Sequence, residues 1–146
     1  MLEPEAVAWF KEIIDAKVAL VNEEQKFFIH PGYHWLGCTP DGISGADILE
    51  IKCPAKPPKE LPEDWYMRYM PQVQGQMEIV GADYCYLVAY HEEGVKTWEI
   101  ERSKEYFEWM FPKLEEFWSY VQKDKEPPRT RKEEFEGQLN VKVIYE

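Results

Sequence analysis

Residues 39–54 read TPDGISGADILEIKCP, and the reading of the fold starts there. Asp47 to Cys53 reads as a β-strand, whose successive side chains point to opposite faces, and from Leu49 on apolar and charged residues alternate. Leu49, Ile51 and Cys53 are expected to turn into a core, with Glu50 and Lys52 side by side on the other face. A carboxylate and an ammonium on an otherwise apolar strand are unusual neighbours, because buried charge is costly unless it is paired or metal-bound. Thr39-Pro40-Asp41-Gly42 is a turn by composition. Asp41 stands nine residues before Glu50, so a hairpin between them would set the two carboxylates together.

Working outward, Val7, Phe10, Ile14, Val18 and Val21 recur at three or four residues, which predicts an amphipathic helix from Glu3 to Val21. Pro4 is compatible with its first turn. Lys26 to Ile29 and Tyr33 to Leu36 read as strands, with His30-Pro31-Gly32 turning between them. The four prolines between Pro54 and Pro62 make that stretch a loop. A helix is predicted from Pro71 to about Val80, then a hairpin of Tyr84–His91 and Val95–Glu101 around Glu92-Glu93-Gly94. Ser103 to Gln122 reads as a second amphipathic helix, with Phe107, Met110, Leu114, Phe117 and Val121 on one face. The order is α-β-β-β-α-β-β-α, an α/β (α+β) fold with a mixed central sheet flanked by helices. Residues 1–122 form the expected core, and 123–146 a charged C-terminal tail in which Leu139–Tyr145 is a candidate late strand.

The bulk numbers agree with one folded domain: 146 residues, 45% apolar and 15% aromatic, are enough for a real core. No apolar run approaches the ~20 residues of a membrane span. The opening MLEPEAV carries acids where a signal peptide carries Lys or Arg, so a cytoplasmic protein with no membrane partner is expected. Cys38, Cys53 and Cys85 form no C-x-x-C pair and read as reduced, mostly buried thiols. A net charge of −11 argues against a broad basic face for nucleic acid. It leaves room for an enzyme that holds divalent cations, which need carboxylates and present positive charge to phosphates.

Asp41 and Glu50 suit such a cation. Mg²⁺ is hard and takes oxygen ligands, typically one or two carboxylates plus waters and substrate phosphate. Lys52 would then orient or deprotonate an attacking water, or balance charge on the phosphate. Two ions ~4 Å apart would hold both the attacking and the leaving oxygen. The bland alternative, a solvated strand face and an ordinary turn, stays open from the residues alone. Gln72 and Gln76, at i and i+4, share a helix face that suits either a phosphate-bound water or solvent.

Three ordered motifs, Thr39-Pro40-Asp41-Gly42, Leu49-Glu50-Ile51-Lys52-Cys53-Pro54 and Gln72-Val73-Gln74-Gly75-Gln76-Met77, resemble the YqaJ-like viral recombinase nucleases. These include the lambda-type phage exonucleases, a branch of the PD-(D/E)xK superfamily, and the resemblance runs from about Glu3 to Trp118. It implies a restriction-endonuclease-like sheet and hydrolysis of DNA with Mg²⁺, for which Mn²⁺ substitutes. By motif match, Asp41 and Glu50 correspond to metal-binding acids, Lys52 to the catalytic lysine and the Ile51 carbonyl to a metal-contacting position. Gln72 corresponds to a glutamine near the site, with Tyr69 one turn earlier. Glu3-Pro4-Glu5-Ala6 looks like the family's upstream helical acid, with Glu3 the first choice as metal ligand and Glu5 the second. The implied partners are DNA, foremost duplex ends digested 5′ to 3′, a single-strand annealing protein, and further copies of the chain. The implied place is the cytoplasm, that of the host cell if the chain is phage-encoded. Family members carry a helical segment before the first acid, whereas Glu3 stands almost at the start of this sequence. That leaves open a fragment, a trimmed member, or a domain completed by another chain.

Lys56, Lys59 and Arg68 are candidates to line a DNA path. His30 and His34 read as ordinary turn and strand residues, Arg129, Arg131 and Lys132 as part of a solvated tail, and most tryptophans as core, with Trp35 and Trp65 open for base stacking. Besides the exonuclease, an endonuclease with the same core and a non-catalytic module that binds DNA or protein are consistent with this fold. The joint presence of Asp41, Glu50 and Lys52 speaks for chemistry, which a fold alone would not.

Overall fold

The structure is a computed structural model that describes residues 3–13, 18–19, 26–129 and 132–146. Helix α1 spans Glu3–Ile13. Five strands follow, β1 (Val18–Ala19), β2 (Phe28–Ile29), β3 (Gly37–Cys38), β4 (Gly42–Ser44) and β5 (Asp47–Lys52). Two short 3-10 turns, Pro58–Glu60 and Trp65–Tyr69, lead into α2 (Met70–Val80). Strands β6 (Tyr84–His91) and β7 (Gly94–Glu101), helix α3 (Lys104–Gln122) and strand β8 (Val141–Tyr145) complete the described fold. The main sheet runs β1-β4-β5-β6-β7-β8, with β2 and β3 forming a separate hairpin. Only β5 and β6 pair in parallel among these strands. The fold is the expected mixed sheet flanked by helices.

Strand alternation sorts the core into two layers. Leu49 and Ile51 face Ala6, Val7 and Phe10 of α1, together with Val88 of β6. Ile48, Leu87, Ala89, Trp98 and Ile100 face the other way, toward Met70, Val73 and Met77 of α2 and Tyr106, Phe107 and Met110 of α3. Glu50 and Lys52 share the parity of Ile48, so they point to the α2 side of the sheet.

Local chemistry ends and joins these elements. Gly81 takes a left-handed φ of +82° and closes α2, its N–H donating to the Met77 carbonyl. Ser103 caps α3, its hydroxyl accepting from the Tyr106 N–H. Gln74, fully buried on α2, ties the helix to that cap: its Oε1 accepts from the Ser103 N–H at 2.8 Å and its Nε2 donates to the Glu101 carbonyl at 3.1 Å. Arg102 reaches Glu78 through two nitrogens, at 3.0 and 2.6 Å, beside the same junction.

Several expectations are corrected. Of the helix predicted from Glu3 to Val21, Glu3–Ile13 is helical, but Val18 pairs in a strand against β4 because its backbone completes that sheet edge. Ile14 and Val21 lie outside the described residues. Tyr33–Leu36 is not a strand but the wide turn of the β2–β3 hairpin, held by backbone bonds from His30 to Leu36 and from Leu36 to Tyr33. Tyr33 and Trp35 instead pack on Phe111 and Trp118 of α3. Cys53 is exposed where a core position was expected, since β5 stops at Lys52. Cys38 is half-buried, and Cys85 alone of the three thiols is fully buried. Trp65 is core, packed on Trp98 and Tyr69, which closes the base-stacking option for it. Among the described residues no helix is long and apolar enough to cross a membrane.

Replacing Gln74 by leucine leaves the Ser103 N–H and the Glu101 carbonyl unpaired, at a cost of about 1–3 kcal/mol. Urea denaturation should register that loss, whereas Phe117→Ser, at a side chain 57% exposed, should stay within about 0.5 kcal/mol of wild type. An unchanged urea midpoint for Gln74→Leu contradicts the tie between α2 and α3.

Candidate active site

The β4–β5 hairpin assembles the two acids. Its register pairs Ser44 with Asp47, Ile43 with Ile48 and Gly42 with Leu49 across a two-residue turn. Gly45 occupies that turn with φ +64°, a conformation that costs a side-chain-bearing residue and not a glycine. One step past Gly42 the same register sets Asp41 beside Glu50. Asp41 does not continue the backbone ladder; its Oδ2 accepts the Ile51 N–H at 2.8 Å. In a strand the N–H and C=O of one residue point to the same side. The Ile51 carbonyl is therefore turned toward the edge where Asp41 sits.

Helix α2 covers the other side of Glu50. Gln72 Nε2 donates to Glu50 Oε1 at 3.0 Å, and Gln76 Nε2 donates to Oε2 at 3.2 Å. The two glutamines are one turn apart, so each takes one carboxylate oxygen and together they fix its plane. Lys52 Nζ lies 3.3 Å from Glu50 Oε1 and 4.9 Å over the ring of Tyr69. Tyr69 is braced edge-on by Trp65. The structure thus brings together Asp41, Glu50, Ile51, Lys52, Tyr69, Gln72 and Gln76.

The helical acids stand differently. Glu3 opens α1, but its side chain lies outside the described residues, and Glu5 is exposed. The buried face of α1 packs on Leu49 and Ile51, the side of β5 opposite Glu50. Lys56, Lys59 and Arg68 are exposed on the segment after β5. His30 stacks on Phe107 and His34 is exposed; neither touches Glu50 in the described contacts.

Glu50 is only 4% exposed. Burial, and then the charge of Asp41, push its carboxyl up to about 7, while Lys52 and the Gln76 hydrogen bond pull the other way. A neighbour that the sequence reading did not place near the acids is Cys38, whose half-buried thiol lies in the field of Glu50. Burial and then that charge raise it to about 11, so the thiol stays neutral. Its position on β3, outside any periodic run, gave no signal.

A buried carboxylate that resists ionisation next to a second carboxylate is a site short of positive charge. The donors are hard oxygens, two carboxylates and a backbone carbonyl, and no group of three or more His, Cys, Asp or Glu gathers among the described residues. That set suits Mg²⁺, which takes few protein carboxylates and keeps waters and substrate phosphate as its other ligands. It does not suit a thiolate- or imidazole-bound metal.

The family model for the YqaJ-like viral recombinase domain matches residues 1–83, a stretch that contains all of the residues gathered here. No curated protein sequence matches the chain. Among solved structures, the alkaline exonuclease LHK-Exo from Laribacter hongkongensis is similar, with a TM-score of 0.69 and 24% identity over 84% of this chain and 66% of that one. The same exonuclease in complex with dAMP gives a TM-score of 0.70 at the same identity and coverage. At that identity the likeness establishes the fold. The chain spans just under two thirds of the length of these structures.

The raised Glu50 carboxyl has a consequence for metal-free stability. Its folded value of about 7 lies above the ordinary 4.5, so the folded state holds the proton more tightly than the unfolded chain. That contribution is fully present below about 4.5 and is lost as pH rises through about 7. In EDTA, the denaturation midpoint should fall between these pH values, and Glu50→Gln should remove most of the fall. Identical pH profiles for the two proteins would contradict the burial of Glu50.

Proposed function

The chain belongs to the YqaJ-like viral recombinase domain family, and from that premise we propose that it is a metal-dependent DNA exonuclease, hydrolysing phosphodiester bonds 5′ to 3′ from duplex ends in phage-type recombination. The observation that carries this reading is the buried Glu50 carboxylate, held by two glutamines beside Asp41 and Lys52. A merely structural strand has no use for such a costly group. The bound dAMP in the similar exonuclease supports a nucleic-acid substrate.

Asp41, Glu50 and the Ile51 carbonyl are the proposed Mg²⁺ ligands, with Mn²⁺ as substitute and Glu3, or Glu5, as the added helical acid. A bound ion would supply Lewis-acid polarisation of the phosphate and a more acidic water. The chain's own residues do the remaining work. Lys52 directs its ammonium to the space beside Glu50 Oε1, where it orients the attacking water, moves its proton, or balances charge on the phosphate. Tyr69 steadies Lys52 through its ring face, a cation–π contact that leaves the ammonium hydrogens free to donate. Gln72 and Gln76 keep the Glu50 carboxylate in one plane, so its oxygens need no reorganisation when substrate arrives. Lys56, Lys59 and Arg68 supply phosphate contacts along the strand that leaves the site. A single-strand annealing protein and further copies of the chain complete the proposed assembly, in the cytoplasm.

The test is cleavage of linear and closed-circular duplex DNA with Mg²⁺, with Mn²⁺ and with EDTA, next to Lys52→Ala. Metal-dependent loss of linear DNA alone is expected, reduced at least about 10²-fold in Lys52→Ala. Cutting of the circle replaces the exonuclease with an endonuclease on the same core. Absence of cleavage with either metal overturns the reading.

A further inference from the structure

Gln72 and Gln76 make the same bond to Glu50, but their other ends differ. Gln72 is exposed, so its carbonyl oxygen meets solvent. Gln76 is 5% exposed, and its Oε1 is buried without a hydrogen-bond partner among the described residues. The direction of this amide is not free. Nε2 faces Glu50 Oε2 at 3.2 Å, and a carboxylate that holds a cation is ionised and only accepts, so with a cation at Glu50 the bond to Oε2 belongs to Nε2 and Oε1 is left for another donor. Thr97 carries the other unpartnered buried oxygen, a hydroxyl on β7 that rotates to suit its surroundings. Gln76 has no such freedom while Glu50 holds its nitrogen.

An unpaired acceptor at such a place has a use if a divalent cation sits at Glu50. Mg²⁺ and Mn²⁺ in carboxylate sites keep water ligands, and each water brings two protons that need acceptors. Lys52 only donates. Asp41 and Glu50 commit oxygens to the ion itself, and Asp41 Oδ2 also accepts from Ile51. Of the two glutamine carbonyls on the Glu50 side of α2, the buried one belongs to Gln76. We propose that Gln76 is a positioning residue that holds a cation-bound water through Oε1 while Nε2 holds Glu50. This inference rests on the metal-dependent reading of the site and adds one acceptor to it. Partners of this kind, one bond removed from the metal, are worth about 10–100-fold in affinity.

Mn²⁺ binding by isothermal titration calorimetry tests the proposal in wild type, Gln72→Met, Gln76→Met and Gln76→Glu, with the thermal midpoint of each metal-free protein as the check on folding. Both methionine variants lose one N–H bond to Glu50, but only Gln76→Met loses the buried acceptor. The expected result is a dissociation constant raised about tenfold or more in Gln76→Met and much less in Gln72→Met. Gln76→Glu, which keeps an acceptor there, should bind Mn²⁺ at least as tightly as wild type. Equal weakening in the two methionine variants, or equal weakening in Gln76→Met and Gln76→Glu, overturns the assignment. Wild-type protein that binds Mn²⁺ and a folded Gln76→Met that binds it equally well overturn this assignment alone. Wild-type protein that binds no Mn²⁺ overturns the metal-dependent reading as well.

Discussion

The arrangement depends on one carboxylate buried where the sheet meets α2. Glu50 sits on β5 between apolar neighbours, and its charge must be answered on every side. The topology supplies the answers. A tight antiparallel turn returns the chain from β4 to β5 and delivers Asp41. β5 and β6 are parallel, and a parallel pair needs a long crossover. That crossover holds the proline-rich loop, the 3-10 turn with Tyr69, and α2 with its glutamines. The hairpin sets the acids and the crossover sets the amides, so the site is a result of how β5 is connected on both sides.

α2 carries two different jobs in three alternate glutamines. Gln72 and Gln76 are a turn apart and meet Glu50, while Gln74 between them turns to the far side and secures Ser103 and Glu101. Fixing the helix against α3 therefore fixes the clamp on the carboxylate. The charge-assisted Arg102–Glu78 pair at the same junction, two guanidinium nitrogens on one carboxylate oxygen, adds to that rigidity. A binding geometry supported in this way is held by elements of the scaffold and not by a loop.

Much of this was legible because it follows from two periods. Alternation along β5 put Glu50 and Lys52 on one face, and the i, i+4 spacing put Gln72 and Gln76 on another. What periodicity could not carry was anything decided by a tertiary partner. Val18 continued the helical pattern of α1, yet its backbone pairs with Ser44 at the sheet edge. Tyr33 and Trp35 looked like strand residues, but α3 offers Phe111 and Trp118, and the hairpin turn widens to reach them. Cys53 kept the parity of Leu49 and Ile51 but lies beyond the last strand residue, ahead of Pro54, whose missing N–H cannot extend the ladder. Gln74 carried no mark in sequence to separate it from the glutamines on either side. Its role depends on where α3 begins.

Charge is the remaining constraint. The chain carries −11 overall, and the covered face of its sheet holds an acid pair that repels itself and any phosphate. Lys52 offsets only part of this, since Glu50 remains above the ordinary carboxylate range with the ammonium 3.3 Å away. Moving a second lysine inward would neutralise the pair and stabilise the empty site. It would also remove the field that would draw in the proposed divalent cation, and with it the positive charge that cation would offer a phosphodiester. The unrelieved repulsion between Asp41 and Glu50 is therefore the feature that a structural strand would discard and a cation-binding one requires. Burial and that repulsion both disfavour the ionised Glu50 in the metal-free fold, and a cation bound there would offset the same electrostatic cost.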